Sequence, residues 1–295
     1  MRTVARQIES RQDHAGDGTA AAVPRRRRLP WSQIIGAVLI LGWTLPAFLY
    51  LVVLSVKPER LIAVRSAVIF WPTLDRYREL VITNLGLPIW NSLATSTAGA
   101  LVAVAMASLA AVTFTFWDFR GKAALFLTIL LPRMFPPVTT LIPIHLAMKT
   151  LGLIDTRTGL ILLFAAFQIP LAIWVMRTAL AEVPRDLVES AALDGASLPV
   201  IVARVILPLA RPGLLAAFIL AFIFNWNEFL FPLILTSFHA RTGSVAITSF
   251  SGGYKSLPWG PLAVLGVVMT IPVILFVLVF RAALIRGFTA GAVKG

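Results

Sequence analysis

Side chains that could do acid–base, nucleophilic or metal chemistry are scarce in this 295-residue chain. It contains no cysteine, which excludes disulfides, thiolate metal sites and a cysteine nucleophile. The three histidines, His14, His145 and His239, are widely separated, so a zinc site is not expected. No Ser–His–Asp arrangement can be assembled either. These patterns predict that the chain is not an enzyme and holds no metal.

A phosphate-binding loop is also missing from the sequence. Gly121-Lys122 lacks the upstream glycine of the pattern Gly-x-x-x-x-Gly-Lys-Ser/Thr and is followed by Ala123. That loop cradles the phosphates of ATP in nucleotide-hydrolysing proteins. We therefore expect this chain neither to hydrolyse ATP nor to bind a cofactor itself.

A few polar or aromatic residues inside apolar runs could line a path for a solute: Arg133, Gln168, Asn225, Trp226, Asn227 and Glu228. Arg133 lies among prolines, and prolines that break a helix near the bilayer midplane are a feature of transporters. Amides can hydrogen-bond hydroxyl groups, and an indole can stack on a sugar ring. Two alternatives stay open: Arg133 reaches the membrane interface, and the amides and indole join neighbouring helices.

The polar segment 177–211 has the pattern of a helix–turn–helix on a membrane surface. Pro184 suits a first helical turn, and Leu187, Val188 and Ala191 recur at helical spacing. Asp194-Gly195 is a helix stop, because glycine adopts the left-handed conformation at little cost. The pattern alone fits an amphipathic hairpin that connects two spans as well as it fits a functional element.

The elements that must position these residues are membrane spans. The chain is 58% hydrophobic and 13% charged, with a mean hydropathy of +0.87, whereas soluble domains are about 25% charged. Six apolar runs approach or exceed the ~20 residues of a membrane span: 34–56, 89–116, 123–148, 159–176, 212–237 and 260–280. The first run resembles a signal-peptide core but is too long, so we expect it to stay as an anchor. The second is rich in small residues and is predicted to pack inside a bundle.

The distribution of positive charge predicts the orientation. The net charge is +13, and the basic residues lie at the ends of apolar runs rather than on one face of a folded domain, which argues against nucleic-acid binding. Both tails and the even-numbered connections between spans carry most of the Lys and Arg residues, which places them in the cytoplasm. We therefore predict a basic, disordered cytoplasmic tail over 1–30, a six-helix domain over 31–281 and a cytoplasmic tail over 282–295.

The segment 177–211 resembles the cytoplasmic "EAA" loop of the permease subunits of bacterial binding-protein-dependent ABC importers. The matching residues are Glu189, Ser190, Ala191, Asp194, Gly195, Ala196, Leu207, Pro208 and Pro212. The one departure is Ser190, where the family usually has alanine. The resemblance implies that these residues dock on an ATPase subunit, with Glu189, Ser190, Ala191, Asp194, Gly195 and Ala196 at the contact.

The end of the chain is similar to the carbohydrate branch of the same family, the MalG-like permeases. Residues 287–295 match its usual ending except that Phe288 replaces leucine. Weaker similarities begin at Pro72, Asn91 and Asn225, so that the resemblance covers about residues 30–295. It implies that the tail, with Gly287, Thr289, Gly291 and Lys294, contacts the ATPases.

The resemblance implies an all-α membrane protein of the MetI-like ABC importer permease fold, with six transmembrane helices and both termini cytoplasmic. It implies two ABC ATPase subunits that bind ATP and Mg, a second, MalF-like permease subunit, and a periplasmic or lipid-anchored solute-binding protein. The expected activity is sugar import through the bacterial inner membrane. A polyol or a glycerol-phosphate-type solute is the alternative. An ion-coupled carrier is disfavoured, because only Glu228 could serve as an acidic relay within the spans.

Overall fold

The computed structural model describes residues 31–62, 69–82, 85–250 and 258–292, and gives the backbone alone for 81, 249, 250 and 282–292. The predicted basic tail over 1–30 lies outside the described residues. Helices are the only regular secondary structure in the described part, which contains no strand. The helices are α1 Trp31–Val56, α2 Glu59–Ile62, α3 Asp75–Ile82, α4 Gly86–Phe116, α5 Lys122–Leu130, α6 Pro137–Thr150, α7 Arg157–Leu180, α8 Arg185–Leu193, α9 Leu198–Ile201, α10 Leu207–Leu209, α11 Arg211–Trp226, α12 Leu230–Leu235, α13 Gly243–Ala246 and α14 Trp259–Ala292.

Four described helices are long and apolar enough to cross a membrane: α1, α4, α7 and the part of α14 over Trp259–Arg281. Two bent helix pairs pass the same test, Lys122–Met134 with Pro137–Thr150 and Leu198–Leu209 with Arg211–Trp226. If each pair is one span, the described residues contain six, the number predicted from the sequence.

The third predicted span is bent by 96°. A 3-10 turn over Leu131–Met134 follows α5, and Phe135 and Pro136 are then extended, with ψ of 136° and 131°. A residue before proline is pushed out of the helical region by the proline ring, so the consecutive prolines 136 and 137 force the break. The run 123–148 therefore forms two helices instead of one continuous span.

The fifth predicted run, 212–237, is also divided into two helices. α11 ends at Trp226, and the chain resumes as the short helix α12 after Phe229. The carboxylate of Glu228 accepts hydrogen bonds from the backbone N–H groups of Phe229 and Leu230, at 3.1 and 3.0 Å. It thereby caps the first turn of α12, which favours a new helix at this point.

The core is a crossing of α4 and α7 with α11 packed against both. α4 presents small residues at helical spacing, and Ala100, Ala103, Ala107 and Ala111 are fully buried. A Cβ on Gly99 would lie 2.8 Å from the Cβ of Phe164 in α7, so only glycine permits this approach. The prediction that the second span packs inside a bundle is confirmed.

Candidate functional site

The EAA segment forms the predicted surface helix, α8. The backbone N–H of Gly195 donates to Ala192 O at 3.1 Å, and that of Ala196 donates to Ala191 O at 3.1 Å. This pair of bonds is the Schellman motif, which requires a left-handed residue after the helix. Gly195 fills that position with φ +79°. The predicted stop is therefore confirmed in its geometry.

The two sides of α8 face different surroundings. Val188, Ala191 and Ala196 pack against a core cluster that includes Leu180 of α7 and Ile206. Glu189, Ser190, Asp194 and Gly195 are exposed on the other side. The motif thus seats the helix on the bundle with its alanines and presents its acidic and small residues outward.

Leu193 is an exposed residue of α8 that the sequence analysis missed. Its side chain is 88% exposed at the end of the helix, next to Asp194. Leu193 does not belong to the predicted apolar face, which contains Leu187, Val188 and Ala191. A leucine outside that face is the feature of the sequence that could have identified it as exposed. A large exposed apolar side chain of this kind is suited to fill a pocket on a partner.

A second arrangement of polar residues lines a cavity of about 250 Å³ at the bend between α5 and α6. The Arg133 guanidinium donates to Gln168 Oε1 at 3.1 Å and lies 5.2 Å from the ring centre of Phe224. Asn225 and Glu228 line the same cavity. The structure thus brings together four of the six residues considered for a solute path.

The other two residues lie elsewhere. The Trp226 indole is 3% exposed, stacks on Phe222 and donates through Nε1 to Met269 O at 3.1 Å. The Asn227 amide donates to Ile223 O in its own helix, at 2.8 Å. Trp226 therefore joins two neighbouring helices, which is the alternative to lining a solute path, and it does not line the cavity.

Asn225 has an unused acceptor in the described part of the chain. Its Nδ2 donates to Ser96 O at 3.3 Å, while its Oδ1 is buried without a hydrogen-bond partner there. A buried amide oxygen without a donor is costly, by about 1–3 kcal/mol.

Aromatic rings form much of the cavity wall and were not predicted as site residues. Their positions are Phe135, Phe164, Phe167, Phe224 and Phe231, from four different parts of the chain. The rings of Phe167 and Phe231 pack with their centres 4.8 Å apart. Nothing in the sequence distinguishes these five from the other phenylalanines of the apolar runs, because each of the five also lies in or beside such a run.

Asp155 holds a loop at the opposite end of the bundle from α8. Its carboxylate accepts from the backbone N–H groups of residues 237–240, at 2.9 to 3.1 Å. Burial opposes ionisation, but these four donors outweigh it and hold the Asp155 pKa well below its usual range. The carboxylate is therefore charged at physiological pH, and the loop after α12 is fixed to the start of α7.

Asn91 fixes the same loop from α4. Its amide donates to His239 O and Arg241 O, at 2.9 and 2.8 Å, and its Oδ1 accepts from Arg157 Nε at 2.8 Å. All hydrogen-bonding groups of this fully buried side chain are thereby used. The similarity noted at Asn91 in the sequence thus corresponds to a positioning role, which sequence reasoning did not assign.

The predicted ATPase-contacting tail is described only in part. Gly287, Thr289 and Gly291 lie within α14, whose helical backbone continues to Ala292. Lys294 lies outside the described residues. A contact of the tail with the ATPases stays a prediction.

Comparison with known proteins identifies the family. Residues 103–289 match the model of the family described as "Binding-protein-dependent transport system inner membrane component". The chain is 36% identical to the trehalose transport system permease protein SugB of Mycobacterium tuberculosis over 92% of this chain and 99% of that one. It is 33% identical to the trehalose/maltose transport system permease protein MalG of Thermococcus litoralis, over 89% and 96% of the two chains.

A crystal structure of a bacterial ABC transporter involved in import of the acidic polysaccharide alginate has a similar fold. Its matching chain superimposes with a TM-score of 0.69 and 23% identity, over 85% of this chain and 95% of that one. The all-helical MetI-like fold predicted from the sequence is confirmed. The chain belongs to the binding-protein-dependent transport system inner membrane components, the multi-pass permease subunits of ABC importers.

Proposed function

We propose that this chain is the MalG-like permease subunit of an ABC importer that carries a mono- or oligosaccharide across the bacterial inner membrane. One observation carries the proposal: 36% identity over nearly the whole chain to a permease that is named for trehalose transport. The second relative, named for trehalose and maltose, supports the same class of solute. The aromatic and amide-lined cavity suits a sugar, whose ring stacks on aromatic faces and whose hydroxyls pair with polar groups.

The proposed complex contains this chain, a MalF-like permease, two ABC ATPases and a periplasmic or lipid-anchored solute-binding protein. The ATPases bind ATP and Mg, and α8 transmits their movement to the spans. Arg133 and the Gln168 amide offer hydrogen-bond donors to the sugar. The docking residues of α8 and the tail residues from Gly287 onward form the ATPase contact in this proposal.

Sugar uptake is expected to depend on this chain. A strain that lacks it should lose uptake of radiolabelled trehalose or maltose, and the intact gene should restore that uptake. Excess unlabelled disaccharide should compete, whereas glycerol 3-phosphate and polyols should not. Competition by a polyol alone would replace the sugar assignment with the polyol alternative.

The proposed orientation predicts the activity of alkaline phosphatase fusions, because the enzyme folds only outside the cytoplasm. Fusions after residues 70 and 245 should be active, and fusions after 190 and 295 should be inactive. The physical reason is the concentration of Lys and Arg beside the connections placed inside. Activity of the fusion after 190 would contradict the cytoplasmic position of α8 and with it ATPase docking there.

A further inference from the structure

A separate cavity of about 470 Å³ lies between the ends of α4 and α7 and the start of α5. It is close to α8, because Arg185, the first residue of that helix, lines it. Its wall includes three cations, Lys122, Arg177 and Arg185, and four aromatic residues, among them Phe126 and Trp174. No carboxylate contributes to the lining, so the cavity has a net positive charge.

The three cations differ in how far the protein already satisfies them. Lys122 is paired with Asp118 at 2.7 Å, and Arg185 donates to Thr115 O at 3.4 Å. The hydrogen bond and charge of Lys122, with a smaller contribution from Arg185, lower the pKa of Asp118. The carboxylate therefore stays charged beside the cavity and offsets only one of the three cations.

Arg177 is the exception, because its guanidinium has no hydrogen-bond or ion-pair partner in the described part of the chain. Its one described contact is the ring of Phe126, whose centre lies 4.8 Å from Cζ. A guanidinium carries five N–H donors in a fork that matches the oxygens of a phosphate. The residue is partly buried and lines the cavity, so an acceptor that enters the cavity can reach it. An anionic acceptor would satisfy it.

The aromatic side of the cavity indicates where that anion comes from. Trp174 is 59% exposed, three residues before Arg177 on α7, and thus lies on the same helix face. Exposed tryptophans are typical of the level of the lipid headgroups. An anion bound at Arg177 can therefore be attached to acyl chains that run along Trp174 toward the bilayer interior.

We propose that this cavity binds the headgroup of an anionic phospholipid, with Arg177 and Arg185 on the phosphate and Trp174 beside the acyl chains. Basic pockets between transmembrane helices on the cytoplasmic side suit such headgroups. The inference does not depend on which solute is carried. Because Arg185 begins α8, the lipid also supports the base of the coupling helix.

The test measures lipid retained by the full complex. The chain is purified with its partner subunits in detergent from liposomes that contain phosphatidylglycerol and phosphatidylcholine in equal amounts, and the lipid that stays bound is quantified by mass spectrometry. Arg177→Gln should reduce retained phosphatidylglycerol by about fivefold, the equivalent of ~1 kcal/mol for one basic residue at an anionic surface. Arg177→Lys, which keeps the charge but not the fork, should lose less.

Arg120→Gln is the matched control. Arg120 is an exposed arginine in the connection that precedes α5, and it does not line the cavity. This variant should retain phosphatidylglycerol as the unmodified chain does. If Arg177→Gln retained as much phosphatidylglycerol as the unmodified chain, the proposal would be overturned. It would also be overturned if millimolar inorganic phosphate displaced the bound lipid and other anionic lipids did not. Loss of the sister permease or the ATPases from the Arg177→Gln complex would overturn it in favour of a subunit contact.

Discussion

Replacing Gly195 with valine is expected to abolish uptake while the chain still inserts in the membrane. Gly195 has φ +79°, a conformation that costs a β-branched residue about 1–2 kcal/mol. Apart from its chain neighbours, no described residue has a heavy atom within 4 Å of a Cβ built there, so the effect comes from the backbone and not from a clash. The Schellman turn opens, and the outward face of α8 loses its position.

The measurements are sugar uptake and retention of the ATPase when the permease is pulled down from membranes. Uptake should fall at least about tenfold, and retention should fall with it, because the strain acts on the docking surface itself. Gly195→Asn should largely restore both, since asparagine tolerates the left-handed region. Glu189→Lys, which reverses an exposed charge of the same surface, should act like valine, and Ser190→Ala should change little.

Gly152 supplies the control for strain alone. It also has a positive φ, of +67°, and open space around a Cβ, but it lies before α7, at the opposite end of the bundle from α8. Gly152→Val should therefore leave ATPase retention unchanged. If Gly195→Val and Glu189→Lys both kept normal uptake and retention, α8 would not be the element that transmits the movement of the ATPases.

Replacing Arg133 with methionine is expected to lower sugar uptake by about tenfold or more without releasing the ATPases. A hydrogen bond from a charged donor contributes about 1.5–3 kcal/mol, and methionine keeps the apolar length of the side chain while removing it. The substitution would also remove the hydrogen bond that Arg133 donates to Gln168 Oε1. The defect should appear in uptake and in the substrate-dependence of transport.

Lys149→Met is the matched control for Arg133→Met. Lys149 is an exposed cation at the end of α6, outside the cavity. Its removal changes the net charge equally but should leave uptake within about twofold, as expected for an exposed residue without structural partners. Normal uptake in Arg133→Met would indicate that Arg133 only reaches the membrane interface and lines no solute path.

α8 and the aromatic cavity are connected through the same two helices. α8 follows α7, which carries Gln168, and the bent segment over Leu198–Leu209 leads into α11, which carries Asn225. The buried residues Leu180, Ile201 and Ile206 belong to one core cluster that holds both connections. A displacement of α8 would therefore move the two helices that line the cavity, which is the requirement for alternating access.

Elements with strong local signals could be predicted from the order of residues alone. Apolar length and composition identified the spans, and proline and glycine marked where helices break or stop. The turn at Asp194-Gly195 could be predicted because it depends on φ at a single residue. The family could be identified because its motif occupies a short, contiguous segment.

Which polar residues meet depends on how the helices pack in three dimensions. Arg133 and Gln168 are 35 positions apart, and whether they touch depends on the 96° bend between α5 and α6. Asn225 and Trp226 are adjacent in sequence, yet one lines the cavity and the other packs on Phe222, because neighbours on a helix point in different directions.

Glu228, which the sequence suggested for a path, also caps α12, and Asp155 gathers four N–H groups from a loop that follows it by more than 80 residues. Such contacts depend on how helices rotate and approach one another, and that geometry is set by packing of the whole bundle rather than by any local run of residues.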